Sequence, residues 1–210
     1  MPARPSKIVC IGRNYHAHAA ELGNTVPDEP LLFLKPPSSV IADGEAIVVP
    51  TGVGRVDFEG EIGILIGTAA RHVSEDDAWD VVEGIVPLND VTARDLQRQD
   101  SQWSRAKGFD TFCAIGSVYP CDPVGFPDLV VITRVNGVER QKADASQMVF
   151  SVPTLIAYIT RIMTLDPGDV VATGTPEGIG GLQPGDEVEV EIEGLGVLRS
   201  PVVGEADGVA

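Results

Sequence analysis

A chain of 210 residues with 43% hydrophobic and 22% charged side chains can bury one large core, so a single soluble domain over residues 1–210 is expected. Its formal net charge of -16 speaks against nucleic acid and anionic membrane surfaces as partners, but not against a small anionic substrate met by local positive groups. Cys10, Cys113 and Cys121 are odd in number and lack metal-type spacing, which argues against a disulfide framework and a zinc site and points to a reducing cytoplasm.

The N-terminal MPARPSKIVCIG passes straight into a short apolar run without a signal-type stretch, and no segment approaches the roughly 20 apolar residues that span a bilayer. KIVCIG (7–12) and LLFLK (31–35) read as buried strands around a short helix in NYHAHAAELGN that stops at Gly23 and Asn24. His18 and Glu21 lie three apart on that helix and so share a face. Such a pair suits a general base, because the carboxylate fixes the imidazole tautomer, yet the same pair is common on solvated helices. His16 and His72 read as ordinary surface or helix histidines.

In VDFEGEIGILIG (56–67) the period of two puts Asp57, Glu59 and Glu61 on one face of a strand, and Phe58, Ile62, Ile64 and Ile66 on the other. That acidic face is either wet or holds a cation. Three carboxylates converging without an Arg or Lys partner in a partly dry cleft would repel one another unless a cation bound or one stayed protonated. All-oxygen ligands favour Mg²⁺ or Mn²⁺. EVEVEIE (187–193) shows the same alternation and reads as a solvated sheet face, so alternation alone does not make a site.

SEDDAWDVVEG is expected to be a helix capped by Ser74 and closed by Gly84, followed by a strand GIVPLND that ends at Asp90. TARDLQRQDSQW is a second helix, capped by Thr92 with Asp95 at its third position, and it puts Arg94 and Gln97 on one face. Residues 105–116 have no clean period and read as loop. Asn136-Gly137 marks a hairpin, and SVPTLIAYITRIMTL is a helix with a Leu155, Ile156, Ile159, Ile162 stripe. Strands DVVATGTP, DEVEVEIEG and GVLRSPVV, two of them introduced by Pro-Gly-Asp turns, finish the chain, with fraying expected after Val203. TGTPEGIGG lacks the features of a phosphate loop. Lys35 and Lys107, among apolar or small neighbours, either serve a substrate carboxylate or lay their stems on apolar surface.

Taken in order, CIGRNYHAHAAELGN, LFLKP, DFEGEIG, NDVTARDLQ, RAKGFDTFCAIG, MVFSVPTLIAYIT and PGDVVATGTPEGIG resemble the fumarylacetoacetate hydrolase family, above all its small single-domain branch. The resemblance implies an α+β fold, a mixed, largely antiparallel β-roll, and a homodimer. It implies Mg²⁺ or Mn²⁺ on Glu59, Glu61 and Asp90, with Asp57 outside the ligand set and water where larger members supply one more aspartate. His18 and Glu21 match the family's catalytic dyad, Lys107 its active-site lysine, and Arg94, Gln97, Thr175 and, more weakly, Arg13 its substrate contacts. The implied reaction is metal-dependent C–C cleavage of a small α-keto acid, acylpyruvate hydrolysis or oxaloacetate decarboxylation through a metal-stabilised enolate. The alternatives are isomerisation of a 2-hydroxy-dienedioate and, from another class, a non-catalytic metal-stabilised domain.

Overall fold

The computed structural model describes residues 5–205. Strands β1 (Ile8–Gly12) and β2 (Leu31–Lys35) pair antiparallel, joined through the short helix α1 (His16–Glu21), where the apolar runs and the Gly23 stop place them. Two short strands, β3 (Val40–Ala42) and β4 (Ile47–Val49), lead to the acidic segment. It is two strands rather than one, β5 (Val56–Phe58) and β6 (Gly60–Ile66), parted at Glu59. The break has a local cause. Asn89 Oδ1 accepts the Glu59 N–H at 3.0 Å, which takes that amide out of the ladder, while Glu59 O still accepts from Asp90 N at 2.8 Å.

The next segment departs from expectation. SEDDAWDVVEG forms only a 3-10 turn at Ala78–Val81, and β7 (Val82–Asp90) begins before Gly84 is reached. Ser74 and Asp77 do exchange capping hydrogen bonds, at 3.3 and 2.6 Å. The β-branched Val81-Val82 pair and the pairing of Val82 with Ile66 then draw the chain into the sheet, so tertiary pairing overrides the start signal. After β8 (Thr92–Ala93), helix α2 (Arg94–Gln99) lacks its expected Thr92 cap, because the Thr92 hydroxyl donates back to Asp90 O at 2.9 Å. The stretch expected to be loop holds a one-turn helix, α3 (Ser104–Lys107), and a short strand, β9 (Cys113–Ile115).

The C-terminal half follows its turn signals more closely. β10 (Val130–Val135) and β11 (Val138–Asp144) meet at Asn136 and Gly137, whose φ values of 52° and 75° suit a primed hairpin turn. In α4 (Val152–Ile162) the Ser151 hydroxyl caps Thr154 N, and Leu155, Ile156 and Ile159 are buried, but Ile162 in the last turn is 52% exposed. β12 (Val170–Ala172), β13 (Gly180–Gly181), β14 (Glu187–Ile192) and β15 (Gly196–Gly204) complete the order. The tail expected to fray after Val203 stays in β15 to Gly204, and 206–210 lie outside the described residues.

Seven strands form one sheet in the order β2-β1-β12-β6-β7-β9-β3, five form a second, β11-β10-β14-β15-β4, and three a small one, β13-β5-β8. Among the described residues, parallel pairing is confined to β1 with β12, β3 with β9 and β4 with β15. The fold is therefore α+β and largely antiparallel. No helix among the described residues is long and apolar enough to cross a membrane.

The seven-stranded sheet buries both faces. Val9, Ile62, Ile64 and Val171 join a large core with Val131, Val188 and Val190 of the second sheet. On the opposite face Ile8, Cys10, Leu65, Leu88, Cys113 and Val170 form a cluster of their own. This cluster draws on five neighbouring strands, β1, β12, β6, β7 and β9, on one face of the sheet. The period of two then locates the titratable groups: Glu61 precedes Leu65 on this face, Asp90 follows Leu88 and Lys35 follows Phe33. Hydrocarbon fills the middle of the face, and titratable groups stand at the strand ends.

Gly60 is held to glycine by space, since a Cβ there would lie 1.9 Å from Thr133 Oγ1. Gly60→Ala should therefore destabilise the fold by about 1–3 kcal/mol. Thr133 Oγ1 is buried without a hydrogen-bond partner, so Thr133→Ala alone should change stability little and should rescue most of the Gly60→Ala loss. Chemical denaturation of the two single variants and the double variant reads the coupling, and additive losses would show that the clash is not the cause.

Candidate active site

A cavity of about 360 Å³ opens between α1, α2, α3 and the β12-β13 loop, lined among others by Arg13, His18, Glu21, Phe33, Glu59 and Glu61. Arg94, Gln97, Trp103, Lys107 and Thr175 line it too. Asp90 stands just behind, and ligand atoms of Glu59, Glu61 and Asp90 all lie within 4.8 Å of one another. The structure thus brings together every site residue that the sequence pointed to.

The acidic face is not wet: Asp57, Glu59, Glu61 and Asp90 are all buried. Nor do these carboxylates lack cationic partners, because the fold supplies Arg94, Lys107 and Lys35 from distant segments and Arg55 stands two residues before Asp57. Asp57 accepts from Arg55 Nε at 2.5 Å and Arg94 Nε at 2.8 Å. Glu59 accepts from Arg94 and, at 2.7 Å, from Lys107 Nζ. Asp90 accepts from Lys107 Nζ and Lys35 Nζ, both at 2.6 Å. Burial opposes ionisation of Glu59, but Lys107 and Arg94 outweigh it and hold that carboxyl well below the usual range. Burial also opposes the Lys107 charge, and Asp90 and Glu59 overcome it, so the ammonium is held above its ordinary range.

Glu61 differs from these three. Its hydrogen-bond partner is the Gly174 N–H at 2.7 Å, and no cation bonds to it among the described residues. Burial first and the Asp90 charge second push its carboxyl well above the usual range. A buried carboxylate in that position is stabilised by a proton or by a metal ion. Three convergent carboxylates with no thiol or imidazole among them suit a hard divalent ion, so the residues present fit Mg²⁺ or Mn²⁺.

His18 Nδ1 lies 3.3 Å from Glu21 Oε2, and Glu21 Oε1 accepts the Gly178 N–H at 3.1 Å. The pair therefore belongs to the cavity wall, with His18 buried, and not to a solvated helix face. Arg94 is engaged three ways, since it also donates to Gln97 Oε1. The Thr175 hydroxyl donates to Gly60 O at 2.9 Å and accepts from Gln141 Nε2 at 2.8 Å. Lys35, read from sequence as a cation for substrate or a lysine on apolar surface, does neither. It is 1% exposed, stands behind Asp90 and also donates to Val91 O at 3.0 Å. Cys10 and Cys113 are buried thiols, the latter pushed up to about 12 chiefly by burial, which keeps both protonated and inert.

Several contributors went unread in the sequence. Phe33 and Trp103 meet edge to face at 5.3 Å, and Lys107 Nζ lies 4.8 Å over the Phe33 ring. Nothing periodic marks Trp103. The TGTPEGIGG segment lacks the features of a phosphate loop, yet its Gly174 and Gly178, at φ 103° and 95°, aim backbone N–H groups at Glu61 and Glu21. Gln141, 1% exposed between exposed Arg140 and Lys142 on β11, ties Gly60 N to this same loop.

The two glutamates should respond oppositely to neutralisation when divalent ions are chelated. Glu59→Gln leaves Lys107 and Arg94 without a full countercharge and should cost about 3–5 kcal/mol. Glu61→Gln keeps an acceptor for Gly174 N and replaces a carboxyl whose charged form burial and Asp90 disfavour, so it should leave the fold as stable or more stable. Denaturant midpoints of both variants in EDTA provide the measurement, and a large loss in Glu61→Gln would contradict this charge assignment.

Residues 7–203 match the fumarylacetoacetate (FAA) hydrolase C-terminal family. The chain is 46% identical over 202 residues to the mitochondrial oxaloacetate tautomerase FAHD1 of Arabidopsis thaliana, covering 94% of this chain and 91% of that protein. Among solved structures, 5-carboxymethyl-2-hydroxymuconate delta-isomerase from Mycobacterium smegmatis superposes with a TM-score of 0.89 at 41% identity, covering 97% of this chain and 81% of that one. Fumarylpyruvate hydrolase from Pseudomonas aeruginosa, in complex with Mn²⁺ and pyruvate, gives 0.88 at 32% identity and 98% coverage of both chains. With the fold and the acidic cluster, these likenesses place the chain in the fumarylacetoacetate hydrolase family.

Proposed function

We propose that this chain is a divalent-metal-dependent enzyme that breaks the C–C bond beside the keto group of a small 2-keto acid, by acylpyruvate hydrolysis or oxaloacetate decarboxylation. The observation that carries the reading is the buried group of Glu59, Glu61 and Asp90 at a cavity that also holds His18 hydrogen-bonded to Glu21. The Mn²⁺ and pyruvate held by the Pseudomonas aeruginosa enzyme support both the ion and the substrate class.

Glu59, Glu61 and Asp90 would hold Mg²⁺ or Mn²⁺, which supplies a Lewis acid towards the keto and carboxylate oxygens of the substrate. The protein's own groups do the rest. Glu21 accepts from His18 Nδ1 and so leaves Nε2 free as the base. In hydrolysis Nε2 takes a proton from the attacking water, a contribution typically worth about 10² to 10⁴ in rate. The Lys107 ammonium lines the cavity and offers a donor to the oxyanion that develops as the bond breaks. Gln97 has its amide NH₂ left for the substrate, because Arg94 occupies its oxygen.

A second reading keeps the same residues but ends in a proton shift along the carbon chain instead of bond cleavage. It is favoured by the relatives named oxaloacetate tautomerases and the neighbour named hydroxymuconate isomerase. We also assign a homodimer in the cytoplasm. β2 is an edge strand with Leu34 47% exposed, which a second subunit would cover, and the three cysteines are free. Light scattering at micromolar concentration should return twice the chain mass.

The two cleavage reactions make different demands on His18. Water must be activated to attack an acylpyruvate, whereas CO₂ leaves oxaloacetate without a nucleophile. His18→Ala should therefore lower kcat/KM for acylpyruvate hydrolysis at least about tenfold more than for oxaloacetate decarboxylation, roughly 1.4 kcal/mol of selective loss. Both rates at fixed Mg²⁺ decide it, and equal losses would withdraw the general-base role.

A further inference from the structure

β12 runs beside β6 only as far as the pairing of Ala172 with Gly63, and the chain then enters the loop 173–178. Gly60 lies past that limit, between Glu59 and Glu61, and side chains take over from the strand. Gln141 Oε1 accepts the Gly60 N–H at 3.0 Å, and Gly60 O accepts from the Thr175 hydroxyl at 2.9 Å. Gln141 Nε2 closes the ring by donating to Thr175 Oγ1 and to Pro176 O, both at 2.8 Å. One amide thus joins the peptide between two carboxylates of the acidic group to the loop whose Gly174 N–H bonds to Glu61.

The local backbone explains how a glutamine comes to be there. β11 is an edge strand on which Glu139, Arg140 and Lys142 are exposed, whereas Gln141 is buried. Thr133 of β10 faces Gln141, but the next residue, Arg134, faces Glu139, so Arg140 is the extra residue of a bulge. Bulges bend a strand and re-aim its side chains, often beside active sites. This one also brings the Arg140 carbonyl against Gly178, whose N–H bonds to Glu21. The oxygen and the NH₂ of Gln141 are all engaged, and Gln141 is not among the described residues that line the cavity, so it can act only through its neighbours.

We infer that Gln141 is a positioning residue for the acidic group. Through the Gly60 peptide it fixes the spacing of the Glu59 and Glu61 carboxylates, and through Thr175 and Pro176 it fixes the loop that holds Glu61. The inference rests on the proposed reading of Glu59, Glu61 and Asp90 as the ligands of a divalent ion. Arg94 and Lys107 hold the Glu59 carboxylate, and Gly174 N–H holds that of Glu61, but the backbone between the two is a glycine, the residue with the most conformational freedom. The two hydrogen bonds on its peptide supply the rigidity that a neighbouring strand supplies elsewhere in β6. Groups that orient metal ligands from behind typically contribute about 10- to 100-fold in metal affinity.

Calorimetric titration with Mn²⁺, well below the melting temperature, tests this without turnover. Gln141→Met keeps the side-chain length and loses all three hydrogen bonds, and it should weaken Mn²⁺ binding by the folded protein at least about tenfold. Gln141→Asn keeps the amide but shortens its reach by one methylene. It should weaken binding at least about threefold, and it decides the matter if Gln141→Met does not fold. Thr160→Val controls for lost stability alone, because it strips a buried hydroxyl that accepts Val73 N at 3.1 Å on α4, outside the cavity lining. Its Mn²⁺ affinity should stay within about twofold of the parent. Parent-like affinity in the deciding Gln141 variant, or an equal loss in Thr160→Val, overturns the inference and leaves the proposed function standing. Absence of Mn²⁺ binding by the parent overturns the metal-dependent reading and the inference with it.

Discussion

Seven charged side chains alternate in sign along one connected line: Lys35, Asp90, Lys107, Glu59, Arg94, Asp57 and Arg55. All but Arg55 are buried. Removing such groups from water costs several kcal/mol per ion, and pairing them does little better than offset that cost. Their contribution is therefore position more than stability. Asp57, Glu59 and Asp90 each have both carboxylate oxygens bonded to a cation, which leaves each carboxylate one orientation. Glu61 stands outside the line with one backbone donor, the carboxyl of the group that no cation holds among the described residues.

The rest of the fold can be derived from the need to bury that line. Its members come from β2, β5, β7, α2, α3 and the two strand junctions, and no local segment could assemble them. The sheet can, because one of its faces changes from hydrocarbon to carboxyl groups between Leu88 and Asp90, and between Leu65 and Glu61. The loop after β12 then closes the arrangement with groups that carry no net charge. Gly174 N–H holds Glu61, the Thr175 hydroxyl holds Gly60 O and Gly178 N–H holds Glu21. One loop thus fixes the acidic group and the histidine pair relative to each other. It needs glycine to do so, since a Cβ at Gly178 would lie 2.1 Å from Arg140 O.

This organisation explains which parts were legible in the sequence. The two acidic strands have the same alternation, yet β14 alternates buried valines with partly exposed glutamates, while every residue of β6 is buried. The distinguishing signal was present: β6 runs on as an unbroken apolar stretch, ILI after EIG, the mark of a strand covered on both faces. A carboxylate on such a strand has no water to face. What local sequence does not contain is most of the partner list, because Lys107, Arg94 and Lys35 reach the carboxylates from 17, 35 and 55 positions away. The same limit explains the failed helix at 74–84, where capping residues were read correctly but pairing with β6 prevailed. It also explains β9, whose three residues become a strand only through their neighbours β3 and β7.

The relatives are named for hydrolysis, isomerisation and tautomerisation, so one architecture serves several reactions. What this chain shares with them is the fold, and within it the charged line gives the carboxylates of Glu59 and Asp90 one orientation each. Outside that line the cavity wall carries His18 and Glu21 of α1, the aromatic pair Phe33 and Trp103, and Arg13. None of these bonds to Asp57, Glu59 or Asp90, whose oxygens are taken by Arg55, Arg94, Lys107 and Lys35. Replacing Arg94 or Lys107 leaves Glu59 without part of its countercharge, whereas a change on the cavity wall outside the line leaves every buried pair in place.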